Sequence, residues 1–357
     1  MKIYRLFIIT LLIFSAALIQ SGFAQSDIDT EKLNRFFTTL HDNNRFMGSI
    51  AVMRGDQIIF KEAYGIISDD GVTATPETIY RTGSISKSYT AAMILQLVDR
   101  DELTLNTRLN TYFPDMPNAD QITIEQMLRH QSGLVNFTNL PNYFEYSTTK
   151  KSREEMLELF ESIGTSFEPG RNTEYSNTAY VLLGYIIEEV TGMRYADALG
   201  EMITEPLGLT STYFGSGIDS GKNEADSFVY RQGNWLPAVI TNLYITHGAG
   251  AVVSTAEEVA RFYHGLFSGE LLSDESLKQM RTFQGAYGLG LIRYPFDKKI
   301  VIGHNGSIDG NQSVTVHYPE ENLTFSIMGN GINYAFNHIL IGFLSISFGN
   351  DYDIPTF

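Results

Sequence analysis

The chain has 357 residues, 25 of them basic and 41 acidic, for a net charge of −16, and it contains no cysteine. The acidic surplus argues against nucleic acid and anionic membrane surfaces as partners, and the missing thiols exclude disulfides. A hydrophobic fraction of 43% is ample for one large core.

Lys2 and Arg5 precede an apolar run from Leu6 to Leu18 and small residues ending at Ala24, the pattern of a secretory signal peptide over residues 1–24. The run is shorter than the ~20 residues a membrane span needs, so cleavage after about Ala24 and no stable span in the mature protein are expected. Removal of Lys2 and Arg5 would leave 23 basic against 41 acidic residues, a net charge of −18. A periplasmic or secreted bacterial setting follows as the expectation, with residues 25–357 forming one large domain or two intimately joined ones.

An amphipathic helix is predicted near Asp29–Leu40. Two strand-like runs, Gly48–Arg54 and Gln57–Gly65, then flank the turn pair Gly55-Asp56, which reads as a β-hairpin. Ser84-Ile85-Ser86-Lys87 comes next, at the head of a segment that is apolar on nearly every side to Val98. Residues at i and i+3 share a helix face, so the Lys87 amine can sit beside the Ser84 hydroxyl. Serine is a weak nucleophile until a neighbour takes its proton, and a helix start offers free N–H groups to a developing anion. Ser147-Thr148-Thr149-Lys150 fits the same short pattern but reads as a surface segment.

From about Arg100 to Trp235 helical signals dominate, with capping boxes expected at Thr123…Gln126 and Ser152…Glu155 and helix stops at Gly133 and Gly164. Within this part Tyr175-Ser176-Asn177 places a phenol and a carboxamide on one side of an extended segment. Neighbouring cations would favour the Tyr175 phenolate and make it a usable general base. Asn177 can reach both Lys87 and a substrate carbonyl. The loops Val135–Ser147 and Gly215–Trp235 are expected to shape the pocket, with Phe137, Tyr143 and Phe144 read as packing residues.

A third capping box, Ser254…Glu257, opens a helix ending near Gly269. Strand signals return at Tyr287–Tyr294, Ile300–Gly303, Ser313–Tyr318 and Leu323–Met328, and Ala335–Phe348 is read as a C-terminal helix. His304-Asn305-Gly306-Ser307 ends one of these strands. An edge there could bind an extended substrate through its backbone, and the N–H groups of Ser84 and Ser307 would make an oxyanion hole. No pair of histidines has metal-ligand spacing with carboxylates, so no metal is expected. The resulting architecture is mixed α/β (α+β): an antiparallel sheet built from about 25–99 and 245–357, flanked by helices, with an all-helical insertion over about 100–244 and a cleft at the junction.

In these motifs and their order the chain resembles the serine β-lactamase and penicillin-binding protein superfamily, in its class C β-lactamase-like branch. The resemblance extends through Tyr80–Lys87, Met127–Leu134, the Tyr175-Ser176-Asn177 helix, Gly248–Thr255 and Gly303–Gly306. It implies a β-lactamase/transpeptidase-like fold and a cofactor-free hydrolase with Ser84 as nucleophile, Lys87 as its proton partner and Tyr175 as a phenolic base. Whether Lys87 or Tyr175 takes the serine proton stays open at this level. Asn177, His304, Asn305 and Gly306 would bind substrate, with His304 standing where many relatives have lysine. His130 is read as holding a turn. The histidine points toward D-Ala-D-Ala carboxypeptidase-like hydrolysis of D-amino-acid peptides. A β-lactamase, a carboxylesterase and a penicillin-binding sensor without turnover are the alternatives.

Overall fold

The computed structural model describes residues 28–357. The expected signal peptide and its cleavage site lie outside them. Helix α1 (Thr30–Asp42) is capped by the Asp29 carboxylate, which accepts from Lys32 N–H, and its apolar stripe Leu33, Phe36, Phe37 and Leu40 is buried. Strands β1 (Phe46–Arg54) and β2 (Gln57–Tyr64) form the predicted hairpin, with Gly55 in the left-handed region its turn requires.

The main sheet has eight strands among the described residues. Besides β1 and β2 these are β3 (Phe228–Arg231), β4 (Asn234–Pro237), β5 (Ile292–Phe296), β6 (Lys299–Ile308), β7 (Asn311–Tyr318) and β8 (Leu323–Ile332). The path runs β2-β1-β8-β7-β6-β5, antiparallel throughout, and the first and last parts of the chain meet where Ile50 faces Ile327. The sheet is thus sewn from both ends of the sequence. The β3–β4 hairpin joins β8 at Phe228 opposite Gly331, so the segment assigned by its sequence to an all-helical insertion contributes strands as well.

Strand alternation sends side chains to two cores. Ile50, Val52, Val316 and Phe325 pack with α1 and with the C-terminal helix Phe336–Ser347 on one face. Ala51, Met53, Ile302 and Met328 face the larger core on the other. That second core is built around α2 (Ser86–Asp99), α3 (Asn177–Thr191) and α4 (Ala256–Phe267). Every residue of α2 from Ser86 to Leu97 is buried, which explains the absence of a polar face in its sequence. Each fully buried Ile or Leu here contributes about 1.5–3 kcal/mol, so α2 is a rigid mount for its first turn.

The local signals mostly land where expected. Thr123 and Ser152 each form a complete capping box, and Gly164 ends its helix with φ 72°. Two differ. The third cap is Thr255 rather than Ser254: the Thr255 hydroxyl accepts from Glu258 N–H, while Ser254 bonds the Thr212 hydroxyl in the core. The helix before Gly133 ends earlier, with His130 in the left-handed region, and Gly133 is needed because a Cβ there would lie 2.1 Å from the Phe167 carbonyl oxygen.

Candidate active site

Ser84 sits in a 3-10 turn, Gly83–Ile85, that runs directly into α2. Gly83 takes φ 55°, and a side chain on it would meet the Ser307 nitrogen at 2.9 Å. The turn therefore presses against β6. Ser84 is part-exposed and lines the cavity, while the rest of the turn is buried.

Lys87 Nζ lies 3.1 Å from Ser84 Oγ, 2.7 Å from Asn177 Oδ1 and 2.8 Å from the Ala249 carbonyl oxygen. No carboxylate pairs with it among the described residues, and burial holds its pKa well below that of an ordinary lysine. The two shorter contacts are to oxygens that only accept, so Lys87 donates to both, and loss of a proton would leave a lone pair for the Ser84 hydroxyl. Asn177 is held in the orientation this needs: its Nδ2 donates to Thr138 Oγ1 at 2.9 Å, and the Thr138 hydroxyl donates to Asn136 Oδ1 at 3.1 Å.

Burial raises the pKa of Tyr175, opposite to the lowering expected from nearby cations, and outweighs the opposing effect of the Ser84 side chain. The Lys87 amine packs over the Tyr175 ring, 4.8 Å from its centroid, instead of flanking the phenol oxygen. Tyr175 is therefore a protonated phenol. His130 supports it in two ways: its ring lies 4.3 Å from that of Tyr175, and its Nδ1 accepts from Ser176 N–H at 3.2 Å.

His304 is 2% exposed, with Nδ1 2.6 Å from the Asn305 carbonyl oxygen. Burial first, then proximity to Lys87, lower its pKa to about 3, so it is a neutral imidazole with Nδ1–H donating and Nε2 free to accept. Asn305 alternates to the other face of β6, where its Oδ1 accepts from the Tyr294 hydroxyl at 2.9 Å, away from the cavity lining. Pairing with β5 ends at Gly303, leaving the His304–Ile308 edge of β6 beside Ser84. A Cβ on Gly306 would fall 2.0 Å from the Thr82 carbonyl oxygen and 3.1 Å from Ser84 N, so only glycine permits this approach. The N–H groups of Ser84 and Ser307 consequently border one space.

That space is a cavity of about 550 Å³. Its lining includes Ser84, Asn177 and Ser307 together with Tyr143, Phe144 and the β3–β4 hairpin. Both loops expected to shape the pocket do so; of the residues read as packing, Phe137 and Tyr143 are buried in the core, with Tyr143 also lining the cavity, whereas Phe144 is exposed and lines it. Ser147 is not at the surface. It is 2% exposed and lines the same cavity, and Lys150 lies over the Tyr244 ring instead of beside it. Sequence reasoning also missed Thr138 and the Ala249 carbonyl, although Gly248–Thr255 was among the stretches carrying the resemblance. Among the described residues no group of three or more His, Cys, Asp or Glu could hold a metal ion, and no helix is long and apolar enough to cross a membrane.

A family-wide sequence profile described as Beta-lactamase matches residues 33–338. The chain belongs to the beta-lactamase family. It is 24% identical to penicillin-binding protein 4* of Bacillus subtilis (strain 168), over 90% of this chain and 77% of that protein. The octameric penicillin-binding protein homologue from Pyrococcus abyssi superposes with a TM-score of 0.79 at 25% identity, covering 91% of this chain and 78% of that one. The D-amino acid amidase from Ochrobactrum anthropi SV3, complexed with D-phenylalanine, gives 0.75 at 25% identity, covering 88% and 98%. The expected β-lactamase/transpeptidase-like fold is therefore present, and the protein is a serine hydrolase of the β-lactamase and penicillin-binding protein family.

Proposed function

We propose that the chain hydrolyses amides of D-amino-acid-containing peptides, such as peptidoglycan stems, through an acyl-enzyme on Ser84. The observation that carries this reading is the buried Lys87, paired with no carboxylate among the described residues and 3.1 Å from Ser84 Oγ. As Ser84 Oγ bonds to the substrate carbonyl carbon, its proton passes to Lys87 Nζ, and the Ser84 and Ser307 N–H groups take up the charge on the carbonyl oxygen. Collapse breaks the C–N bond, and the leaving nitrogen takes the proton back from Lys87 Nζ. Water then adds to the ester carbon, its proton following the same route, and the acid departs with Ser84 restored. Asn177 holds Lys87 and faces the cavity, and the open edge of β6 suits an extended peptide.

The peptide reading draws support from the neutral His304 at the third motif and from relatives named as penicillin-binding proteins and a D-amino acid amidase. A small molecule or peptide suits the cavity volume. An exported setting is part of the proposal, checked by N-terminal sequencing of the mature protein for a start near Gln25. The functional test compares a D-Ala-D-Ala peptide, a chromogenic cephalosporin and a short-chain ester with one preparation. Fastest release of D-alanine supports the proposal. Fastest ring opening makes the protein a β-lactamase, fastest ester cleavage an esterase, and a lasting adduct without turnover a sensor.

A further inference from the structure

Three of the large hydrophobic side chains that remain exposed in this protein cluster at one place. Phe144 is 80% exposed, Leu236 45% and Val239 75%, and all three line the cavity that opens at Ser84. Phe144 comes from the short helix Tyr143–Tyr146, and the other two from β4 and the residues just after it, so the rim is contributed from two sides. An exposed apolar cluster bordering a nucleophile has a ready occupant, the substrate. The acyl part is the portion that stays bonded to Ser84 through both half-reactions, and it is therefore the part such a rim would hold.

The charged groups of the lining add a second condition. They are Arg231 and Asp309. The Asp309 carboxylate is already consumed: Oδ2 accepts from Arg81 Nη1 at 3.0 Å, and Oδ1 from Thr241 N–H at 3.0 Å and from the Thr241 hydroxyl at 2.7 Å. A substrate ammonium would find no free carboxylate on the wall, and would face the Arg231 guanidinium as a like charge.

From the apolar rim and the saturated Asp309 we infer that the cavity selects acyl groups bearing a large apolar substituent and no free amine: N-acylated aromatic or branched residues, in preference to alanyl groups and to free amino-acid amides. This rests on the acyl-enzyme reading above and narrows its substrate: a stem ending in D-Ala-D-Ala, whose acyl group is alanyl, would turn over more slowly than a counterpart with an aromatic or branched residue at that position. A hydrophobic subsite discriminates by about 10–200-fold per methylene-sized difference, which sets the scale.

The test uses three thioesters, N-acetyl-D-phenylalanyl, N-acetyl-D-alanyl and D-phenylalanyl with a free amine, on wild type and on the Leu236→Ser/Val239→Ser double variant. For wild type, kcat/KM should favour N-acetyl-D-phenylalanyl over each of the others by at least tenfold. In the double variant the phenylalanyl-to-alanyl ratio should fall at least fivefold. Equal or faster turnover of the alanyl or free-amine compound by wild type overturns the inference, as does a ratio unmoved in the variant. Failure of the acyl-enzyme reading is a different result: no acyl adduct on Ser84 from any of the three.

Discussion

Arg81 and Asp309 form a buried ion pair, 3.0 Å from Nη1 to Oδ2, with each side chain 3% exposed. Arg81 lies just before the Gly83–Ile85 turn and Asp309 just after the end of β6, so the pair ties together the two backbones that meet beside Ser84 and Ser307. Arg81 Nη1 also donates to the Thr241 carbonyl at 2.7 Å, bringing in the segment after the β3–β4 hairpin. The site's geometry therefore depends on an interaction outside the reacting groups.

Removing one partner leaves an uncompensated buried charge, which costs about 3–5 kcal/mol. Asp309→Asn should lose stability on that scale in urea unfolding at pH 7, and its acylation by a fluorescent penicillin should slow. A variant within about 1 kcal/mol of wild type, too small for a buried charge left unpaired, would show that the pair does not brace the fold.

Gly306 tests the close approach of strand and turn. Alanine there must displace either the Thr82 carbonyl or Ser84 N, so Gly306→Ala should lower kcat by about 10²–10³, the effect of losing one oxyanion donor. The measurement is steady-state kinetics with circular dichroism as a check on folding. Near-normal kcat in a folded variant would mean that Ser84 and Ser307 do not share an oxyanion.

The Thr138 hydroxyl sets the Asn177 amide, which in turn orients Lys87. Thr138→Val keeps the shape and removes that bond. A fall of about tenfold in kcat/KM, about 1.4 kcal/mol of transition-state stabilisation, is expected, with little change in unfolding midpoint. If activity is unaltered, the Asn177 orientation is fixed by something else.

Acid should destabilise the fold through two buried histidines. His304 and His317 both have pKa values lowered to about 3, burial being the first cause in each. Between their unfolded value near 6.5 and about 3 the unfolded chain binds more protons, so stability is full above the upper limit and falls as pH drops through this window. Each contributes up to about 1.4 kcal/mol per pH unit there. Urea unfolding at pH 7, 6 and 5 should show the decline, and His317→Asn, which retains a polar partner for Thr324, should flatten it. A flat profile would place both imidazoles in contact with water.

How far the sequence foretold this site depends on the range of the interactions involved. Ser84 and Lys87 meet because helical spacing puts them together, and Tyr175 with Asn177 follow from strand-like spacing before a helix; such relations are local and readable. The charge states are not local. The Lys87 and His304 pKa values are lowered and that of Tyr175 raised because distant elements bury them, and no motif records burial. Ser147 shows the same limit from the other side: its Ser-x-x-Lys pattern brings no lysine to the serine, Lys150 lying over Tyr244, yet the fold carries Ser147 to the cavity wall. The β3–β4 hairpin escaped notice because two four-residue strands around Gln232-Gly233 give little periodicity, and their place in the sheet rests on one pairing with β8.

Activation of Ser84 by the buried Lys87 is the proposed chemical step. Its most direct test is the rate and location of covalent labelling by a fluorescent penicillin, followed by intact mass and peptide mapping in wild type, Ser84→Ala and Lys87→Met. One adduct on the peptide containing Ser84, none in Ser84→Ala, and labelling slowed by about 10²–10⁴ in Lys87→Met are predicted. An adduct on another residue such as Ser147, or Lys87→Met labelling at the wild-type rate, would contradict the account.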